Sequence, residues 1–379
     1  MSKLVVLKYL TSENSESPEF RYLFSYCINR ARKAFEVETL VWREGIGEPL
    51  LPVTDYVLVL SKENLFFTAE TLTRMANALN TRVYAVIPNT IAKYKVTGKS
   101  PLYSIRGYEL LEESIFNGFR EPFELNDSHL PISLFSVDTF HELLNRVSVE
   151  EVLTNKGLFK DLGFGNRVVH AGVFHQFIDY YGEIREDILP YIPEGAEEIL
   201  EIGCGRGLAG EFLRDKLGCR VTGVELNSDI ASDARSHISR VICGDIQELD
   251  IDEKYDVVLA TELFEHLNYP ENFLLKMKSV LRPGGRIVLS VPNVGHYSVV
   301  EDLLAGRWDY VPIGLLCYTH FRFFTRKTIE DWVERAGITS YEIIPQKTEL
   351  PARFSKLSSL FETDMDSLET KGFYVILKP

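Results

Sequence analysis

A strand-like run that passes directly into a glycine-rich turn constrains the fold of this 379-residue chain more than any other feature. Residues 198–207 read Glu-Ile-Leu-Glu-Ile-Gly-Cys-Gly-Arg-Gly, and a helix-like segment follows at once. Gly203, Gly205 and Gly207 leave no Cβ atom in the way of a ligand that approaches the backbone N–H groups of the turn. Dinucleotide-binding folds use similar turns. The turn therefore predicts an α/β fold with a bound ligand, without identifying the ligand.

Acidic residues follow the next three predicted strands. These strands are predicted at residues 220–224, 240–243 and 255–260. Glu225 stands about 20 residues after the turn, where a carboxylate would accept hydrogen bonds from the hydroxyl groups of a ribose. Asp245 follows the second of these strands, and Thr261 and Glu262 follow the third. Because ligands of open α/β sheets bind at the carboxyl ends of the strands, we expect these side chains to line one site.

This succession of turn and acids resembles the class I S-adenosylmethionine-dependent methyltransferases over roughly residues 165–379. The resemblance implies a transferase with an α/β, Rossmann-like sheet of seven strands, the last of them antiparallel, and S-adenosyl-L-methionine as its cofactor. The positions that match the cofactor-binding residues of that family are Glu201, Gly203, Cys204, Gly205, Gly207, Glu225, Leu226, Asp245, Ile246, Thr261 and Glu262.

The resemblance also implies what the acidic residues do. Glu201 would accept a hydrogen bond from the amino group of the cofactor or from ordered water, and Glu225 would bind the ribose. Asp245 would accept from the exocyclic amine of adenine, and the N–H of Ile246 would reach a ring nitrogen. Glu262 would help to favour the positively charged sulfonium. The alternatives are a tight turn without a ligand, a surface acid at Glu225, and a turn or helix-capping role for Asp245.

Histidines after the fifth predicted strand, residues 286–291, are candidates for removing a proton from the acceptor, because the pKa of histidine suits that task at neutral pH. His296 stands in Val-Pro-Asn-Val-Gly-His-Tyr, and His320 and Arg322 stand in Cys-Tyr-Thr-His-Phe-Arg-Phe-Phe-Thr. We predict that His296 is the general base and that His320 and Arg322 place the acceptor. A capped loop histidine at position 296 and a structural histidine at position 320 are the alternatives.

The interval 293–325 resembles a methyltransferase subgroup found with sugar- and glycan-modifying enzymes. Gly306-Arg307-Trp308 and Thr319 to Thr325 match segments that recur in the subgroup, whereas Cys317 stands where an acid is common. This resemblance implies O-methylation of a sugar or glycan hydroxyl group. Methylation of a quinone or lipid precursor and a non-catalytic glycan- or protein-binding module are the alternatives, and transfer to oxygen, nitrogen or carbon stays open.

No metal site is predicted, because the histidines and acids lack the H-x-x-x-H or H-x-x-E-H spacing that puts several ligands on one helix face. His266, which follows Glu265, is assigned to the scaffold. Tyr180, Tyr181 and Arg185 are candidates for capping the cofactor pocket, on an amphipathic helix predicted at residues 168–181.

The chain divides into a predicted α/β domain at residues 1–150, a linker and helical cap at 151–195, and the methyltransferase domain at 196–379. Alternating strands and helices in the first domain suggest a parallel sheet. Residues 55–64 and 128–138 resemble the nucleotide-binding core of GT-A glycosyltransferases. Lys62, flanked by Ser61, Glu63 and Asn64, stands where that family holds a metal ion, and its charge would repel a cation. The resemblance therefore implies that glycosyl transfer is lost, and an unrelated α/β scaffold is the alternative.

Composition narrows the class of partner. The net charge is −14 and no long block of Lys and Arg occurs, which argues against nucleic acid as a partner. No run approaches the ~18 apolar residues that a membrane-spanning helix needs. The five cysteines are scattered, as in a cytoplasmic protein with reduced thiols. We expect a cytoplasmic enzyme that acts on a small-molecule or glycan acceptor, and a homodimer is left open.

Overall fold

The computed structural model of the chain describes most of the C-terminal half and parts of the N-terminal half. The described residues are 1–10, 18–43, 51–60, 65–79, 83, 85–90, 132–148, 151, 168–176, 181–182, 184–311, 314–360 and 362–379. Those up to residue 176 form one compact unit, and those from residue 181 onward form a second. The predicted domain limits at residues 150 and 195 stay a prediction.

The first unit contains a sheet whose described strands follow the order β2-β1-β3-β6-β5-β7-β4. The strands are β1 (Lys3–Leu10), β2 (Glu36–Arg43), β3 (Tyr56–Leu60), β4 (Leu65–Phe66), β5 (Ala85–Thr90), β6 (Ile132–Ser136) and β7 (Val168–Gln176). The helices are α1 (Pro18–Ala31), α2 (Ala69–Ala78) and α3 (Val137–Leu144). Thr68 and Ser136 cap α2 and α3, because their side-chain oxygens accept from backbone N–H groups of the first turn.

Two predictions for the first unit are wrong. The sheet is mixed and not parallel, because β6 runs antiparallel to β3 and β5 and β4 runs antiparallel to β7. Residues 168–176 form a strand, not the predicted helix, and pair with β5. Their valines and phenylalanine have high β propensity, and pairing along the sheet outweighs the helical spacing of the apolar residues. Residues 61–64, where the GT-A family holds its metal ion, lie outside the described residues.

β5 contains Pro88 within the strand and continues to Thr90. Proline has no N–H to donate to a neighbouring strand. The pairing of β5 with β7 shifts its register between Ile87 and Asn89, on either side of the proline. The strand therefore passes Pro88 through an irregularity instead of ending there.

The second unit contains a sheet with the order β10-β9-β8-β11-β12-β14-β13 among its described strands. The strands are β8 (Glu198–Ile202), β9 (Arg220–Glu225), β10 (Arg240–Cys243), β11 (Tyr255–Thr261), β12 (Leu281–Pro292), β13 (Tyr341–Lys347) and β14 (Thr370–Leu377). The pairs from β10 to β12 are parallel, and β14 runs antiparallel to both β12 and β13. This sheet confirms the predicted fold class, an α/β fold with a seven-stranded, Rossmann-like sheet and a separate N-terminal α/β part.

Helices connect the strands of the second unit. They are α4 (Leu208–Leu217), α5 (Ser228–Ala234), α6 (Pro270–Ser279), α7 (Tyr297–Leu304), α8 (Arg326–Arg335), α9 (Leu357–Leu360) and α10 (Met365–Glu369), with short 3₁₀ helices at Glu186–Tyr191, Phe264–His266 and Ala352–Phe354. Among the described helices of the chain, none is long and apolar enough to cross a bilayer.

Successive side chains of β8 point to opposite faces of the sheet, so this strand packs into the core on both faces and ends at the predicted site. Leu200 and Ile202 join a buried cluster with Phe264 and Phe324, whereas Ile199 joins a second cluster on the other face. β8 lies between β9 and β11 in the sheet. The strand order runs from β8 through β9 to β10 on one side, and from β11 to β12 on the other. A crevice opens at the carboxyl ends of the strands at such a reversal of order. The predicted site residues follow these ends.

Candidate functional site

The glycine turn after β8 adopts backbone φ angles that residues with a side chain rarely adopt. The φ angles of Gly203, Gly205 and Gly207 are 71°, 53° and 81°. A Cβ added to Gly205 would lie 2.5 Å from the carbonyl oxygen of Tyr181. That same carbonyl accepts a hydrogen bond from the N–H of Arg206 at 2.9 Å. Gly205 is therefore required both for its φ angle and for the close approach of the preceding segment.

Glu225 joins the end of β9 to this turn. Its carboxylate accepts from the N–H of Gly205 at 3.0 Å through Oε2 and from the N–H of Asn227 at 2.9 Å through Oε1. The residue is buried, with 7% of its surface exposed. Each carboxylate oxygen can accept a further bond, so the hydroxyl groups of a ribose can bind without displacing either N–H.

Glu201 is a buried carboxyl group beneath the start of α4. Burial raises its pKa to about 8, against the opposing effects of the Arg185 guanidinium and the Gly210 N–H. Its Oε2 has no hydrogen-bond partner among the described residues. Such a group can accept from the ammonium of an amino acid. Cys204, whose thiol pKa burial also raises, contributes its backbone N–H, which donates to Val224.

Asp245 lies in the turn after β10. Its Oδ1 accepts from the N–H of Gln247 at 2.8 Å, and the neighbouring N–H of Gly244 donates to the carbonyl of Glu225 at 2.9 Å. Ile246 is buried, and its carbonyl accepts from the Lys276 ammonium. These contacts fix Asp245 beside the end of β9, and its role in binding adenine stays a prediction. Leu226, which follows Glu225 at the end of β9, is 70% exposed.

Glu262 follows Thr261 at the end of β11 in a strained conformation. Its φ of 49° lies in the left-handed region that side chains disfavour, and strain of this kind concentrates at functional sites. Its N–H donates to Ser290 Oγ at 3.0 Å, and the Ser290 hydroxyl donates back to Glu262 Oε1 at 2.6 Å. The Arg185 guanidinium lies 3.9 Å from Oε1. These contacts hold the Glu262 carboxylate at the carboxyl edge of the sheet.

Arg185, a residue of the predicted cofactor cap, contacts side chains at the carboxyl end of the sheet. Its Nη1 donates to Ser290 Oγ at 3.3 Å, and its Nε and Nη2 bind the Asp187 carboxylate at 3.0 and 2.9 Å. The carboxylate of Asp187 also accepts from the Tyr374 hydroxyl. Asp187 and Ser290 therefore hold the Arg185 guanidinium from two sides. Tyr180 lies outside the described residues.

Glu265, His266 and His320 form a group that the sequence analysis did not predict. Glu265 is fully buried, and neither of its carboxylate oxygens has a hydrogen-bond partner in the described part of the chain. His320 Nε2 lies 3.8 Å from Glu265 Oε1, and one ligand atom from each of the three residues lies within 4.8 Å of the others. The backbone clamps the two segments together, because the N–H groups of Phe321 and Arg322 donate to the Glu265 carbonyl at 3.0 and 3.1 Å.

The two histidines of this group are oriented by backbone carbonyls. His266 Nδ1 lies 3.1 Å from the Thr319 carbonyl and His320 Nδ1 lies 3.3 Å from that of Leu315. The rings meet edge to face at 4.8 Å between centroids. Burial, followed by the proximity of His266, lowers the pKa of His320 to about 3, and burial together with Glu262 raises the pKa of Glu265. The environment of the group therefore disfavours the charged forms of His320 and Glu265.

His296 occupies a different environment. It is fully buried and caps α7, where its Nδ1 contacts the Ser298 hydroxyl at 2.9 Å, and its Nε2 lies 2.9 Å from Thr348 Oγ1. The Thr348 hydroxyl donates to the Glu369 carbonyl, so it accepts from His296 Nε2–H. Burial lowers the pKa of His296 to about 3. This arrangement fits a structural histidine and not the general base that we predict from the sequence.

His320 and Arg322 both lie near the end of β11, where His320 is buried and Arg322 is exposed. Arg322 is exposed, and its Nη2 donates to the Asn268 carbonyl at 2.9 Å instead of pairing with an acid there. The signal for the missed group was present in the sequence as Glu265-His266 and, 54 residues later, His320. These residues come together only because backbone hydrogen bonds join the two loops, and the sequence does not reveal those bonds.

Comparisons with known proteins agree with this geometry. Residues 173–343 match a protein-family model described as a methyltransferase domain. The ubiquinone biosynthesis O-methyltransferase of Coxiella burnetii is 24% identical over 154 residues, which is 39% of this chain and 65% of that protein. The enzyme of the same name from Nitrosococcus oceani is 27% identical over 182 residues, which is 43% of this chain and 77% of that protein. The chain thus spans about two thirds of the length of the first of these relatives.

A solved structure of a SAM dependent methyltransferase from Archaeoglobus fulgidus is also similar. It is 19% identical, with a TM-score of 0.40, over 51% of this chain and 90% of that chain. The family match supports the predicted enzyme class, an S-adenosylmethionine-dependent methyltransferase, and the predicted cofactor.

Proposed function

We propose that the second unit transfers the methyl group of S-adenosylmethionine to an oxygen atom of a small hydroxylated acceptor. The observation that carries the proposal is the arrangement of two sets of side chains at the carboxyl ends of β8, β9, β10 and β11. The cofactor edge consists of the turn at residues 203–207, Glu225 and Asp245. The acceptor edge consists of Glu262, Glu265, His266 and His320.

The cofactor edge supplies partners for each polar part of the donor. Glu225 binds the ribose diol, Asp245 and the Ile246 N–H bind adenine, and Glu201 accepts from the amino group. The glycine turn lets the methionyl chain pass over the backbone. Because the sulfonium already activates the methyl group, the protein mainly has to align the acceptor oxygen with the C–S bond and exclude water.

The acceptor edge supplies the groups that receive the acceptor and its proton. His320 holds the acceptor as we predict from the sequence, whereas the base role passes from His296 to this edge. Glu262 is the carboxylate best placed to pass a proton to solvent, because 48% of its side chain is exposed. Thr261 and Ser290 hold it at the strand end.

Aromatic side chains beside the acceptor edge support a ring-shaped acceptor. Phe323 lies 6.4 Å from the His320 ring and packs edge to face against Trp308 at 5.2 Å. Phe321 is 61% exposed and Trp308 is 36% exposed. Exposed aromatic faces can pack against the apolar face of a pyranose. Together with the resemblance of residues 293–325 to the glycan-associated subgroup, this favours a sugar or glycan hydroxyl group.

A second acceptor class is a phenolic hydroxyl group of a quinone precursor. The names of the two relatives, both ubiquinone biosynthesis O-methyltransferases, favour it. A phenol would pack against the same aromatic side chains. The two acceptor classes differ in the acidity of the hydroxyl group and share the donor and the edge that binds it.

The proposal is tested with the full chain, S-adenosylmethionine and separate pools of nucleotide sugars, glycosides, polyhydroxylated benzoates and amines. Product mass and the carbon chemical shift of the new methyl group identify the acceptor and the atom that is methylated. We expect an O-methyl product from one of the hydroxylated pools. Gly205→Val, which blocks the cofactor turn, controls for contaminating activity.

Three results would contradict the proposal. Calorimetry that detects no binding of S-adenosylmethionine to the intact chain would remove the enzymatic function. An N-methyl or C-methyl product would remove the oxygen acceptor. Equal product from wild type and Gly205→Val would show that the activity comes from another protein.

A further inference from the structure

Glu265 poses a problem that the described residues leave unsolved. It is fully buried, yet both of its carboxylate oxygens lack a hydrogen-bond partner among the described residues. Buried polar groups are ordinarily satisfied, and a buried carboxylate needs an opposite charge or several donors. Two imidazoles face it, and neutral imidazole nitrogens with lone pairs cannot donate to it. A positive ion between the three side chains would satisfy the Glu265 carboxylate.

We infer that Glu265, His266 and His320 bind a divalent transition-metal ion at the carboxyl end of β11. One ligand atom from each residue lies within 4.8 Å of the others, and His320 Nε2 is 3.8 Å from Glu265 Oε1. Ligands about 2.1 Å from a tetrahedral ion lie roughly 3.4 Å from one another. Small rotations of side chains on two clamped loops therefore close the site around an ion.

The orientation of the histidines supports metal binding independently of these distances. Nδ1 of His266 and Nδ1 of His320 each donate to a backbone carbonyl, those of Thr319 and Leu315. A carbonyl can only accept, so both rings adopt the tautomer in which Nε2 carries the lone pair. Metal-binding histidines are oriented in this manner by a hydrogen bond from the other ring nitrogen. Both rings are held through Nδ1, and Nε2 of His320 faces Glu265. A bound ion requires this orientation.

The ligand set indicates the class of ion. Two imidazoles with one carboxylate suit zinc, iron, cobalt or manganese, whereas magnesium and calcium prefer oxygen ligands throughout. Three protein ligands leave a coordination position for a substrate. Glu262 stands three residues before Glu265 and adds negative charge at the same end of β11. The chain therefore offers an open site for a divalent ion and not a closed structural one.

The role of the ion rests on the proposed function. The acceptor hydroxyl oxygen binds the ion, which lowers the pKa of the hydroxyl group. Its proton passes to the Glu262 carboxylate and then to solvent. The oxygen forms a bond to the methyl carbon while the C–S bond breaks, and the sulfur keeps the electron pair as S-adenosylhomocysteine leaves. The neutral imidazole of His320 then serves as a ligand instead of a base.

The test uses the full chain, stripped with a chelator and titrated with Zn²⁺ and, separately, Mn²⁺ in a calorimeter. We expect one ion per chain, confirmed by elemental analysis, and a Co²⁺ derivative with the absorption bands of a nitrogen- and oxygen-ligated ion. His320→Ala and His266→Ala should each weaken binding at least 10-fold, while S-adenosylmethionine binding persists. Because Glu265→Gln can fail to fold at a buried position, the half-buried His266 provides the second variant.

His237→Ala is the matched control, because His237 also contacts a glutamate, with Nδ1 2.7 Å from Glu211 Oε2, outside the proposed site. Its variant should bind the ion as the wild type does. A wild-type chain that binds S-adenosylmethionine but neither Zn²⁺ nor Mn²⁺ would overturn the inference, as would unchanged binding by His320→Ala. Methyl transfer by metal-free protein would remove the catalytic role alone. An ion bound with no methyl transfer to any acceptor would instead remove the proposed function.

Discussion

The cofactor edge and the acceptor edge of the second unit differ in how their acids are satisfied. At the cofactor edge, Glu225 and Asp245 already accept backbone N–H groups from adjacent turns. At the acceptor edge, Glu265 is buried without a partner in the described residues. Glu225 and Asp245 are therefore satisfied before a ligand arrives, whereas Glu265 needs a ligand. A preformed site binds with little reorganisation, and an unsatisfied site creates selectivity for the ligand that completes it.

Blocking the glycine turn should have the largest effect on the cofactor edge. Gly205→Val places a Cβ 2.5 Å from the Tyr181 carbonyl oxygen and forces a φ of 53° on a β-branched residue. We expect the affinity for S-adenosylmethionine, measured by calorimetry, to fall at least roughly 100-fold. Gly218→Ala, with a similar φ of 68° and no atom within 4 Å, should lose about 1 kcal/mol of stability and keep its affinity. Normal binding by Gly205→Val would show that the turn does not hold the cofactor.

Glu201 should make the stability of the ligand-free protein depend on pH. Burial raises its pKa from 4.5 to about 8. Between these values the unfolded chain releases a proton that the folded chain keeps, so the free energy of unfolding falls as the pH rises towards about 8. Glu201→Gln should remove up to a few kcal/mol of this loss, measured by urea unfolding at pH 5 and pH 8. Glu248→Gln, at an exposed position, controls for the change of one charge. Parallel losses in wild type and Glu201→Gln would contradict the assignment.

Glu225→Gln should separate binding from turnover. The amide keeps one acceptor for the Gly205 N–H but loses the charge and half of the acceptors that a ribose diol needs. We expect a 10- to 100-fold weaker affinity for the cofactor, since charge-assisted hydrogen bonds contribute about 1.5–3 kcal/mol. Turnover at saturating cofactor should change little. A fall in kcat with an unchanged cofactor affinity would move Glu225 to the acceptor edge.

His296→Ala should have the smallest effect, and it acts on stability. The substitution removes the cap of α7 and one donor to Thr348, which still donates to the Glu369 carbonyl. We expect a loss of about 2 kcal/mol in unfolding free energy, with kcat retained at a temperature where the variant is folded. His320→Ala, by comparison, should lose turnover. Abolished turnover in a fully stable His296→Ala protein would restore His296 as the general base.

The cofactor edge could be predicted from the sequence because its determinants are local. The turn at residues 203–207 and the acids after β9, β10 and β11 stand within a few residues of a strand end, and parallel strands bring such ends to one edge. The fold class of the second unit followed from the same pattern. In contrast, residues 168–176 carry apolar residues compatible with either a helix or a strand, and only pairing with β5 decides between them.

The acceptor edge could not be predicted in the same way. Glu265 and His320 are 55 residues apart, and the contact depends on two backbone hydrogen bonds between their loops. His296 and His320 look alike as loop histidines in the sequence. What separates them is the set of partners that each ring finds after folding, a hydroxyl at each nitrogen of His296 and a carbonyl at Nδ1 of His320. Local sequence does not encode those partners.

The carboxylate of Glu225 also has a consequence for the end of each reaction cycle. Its contacts to the turn, and those that it would make to a ribose, involve no atom that the reaction changes. The spent cofactor keeps its ribose, adenine and amino group, so we expect the cofactor edge to hold the product about as firmly as the donor. Only the loss of positive charge on sulfur, sensed by acids such as Glu262, distinguishes the two. We therefore expect S-adenosylhomocysteine to inhibit the chain unless it is removed, because the chain would bind the product about as tightly as the donor.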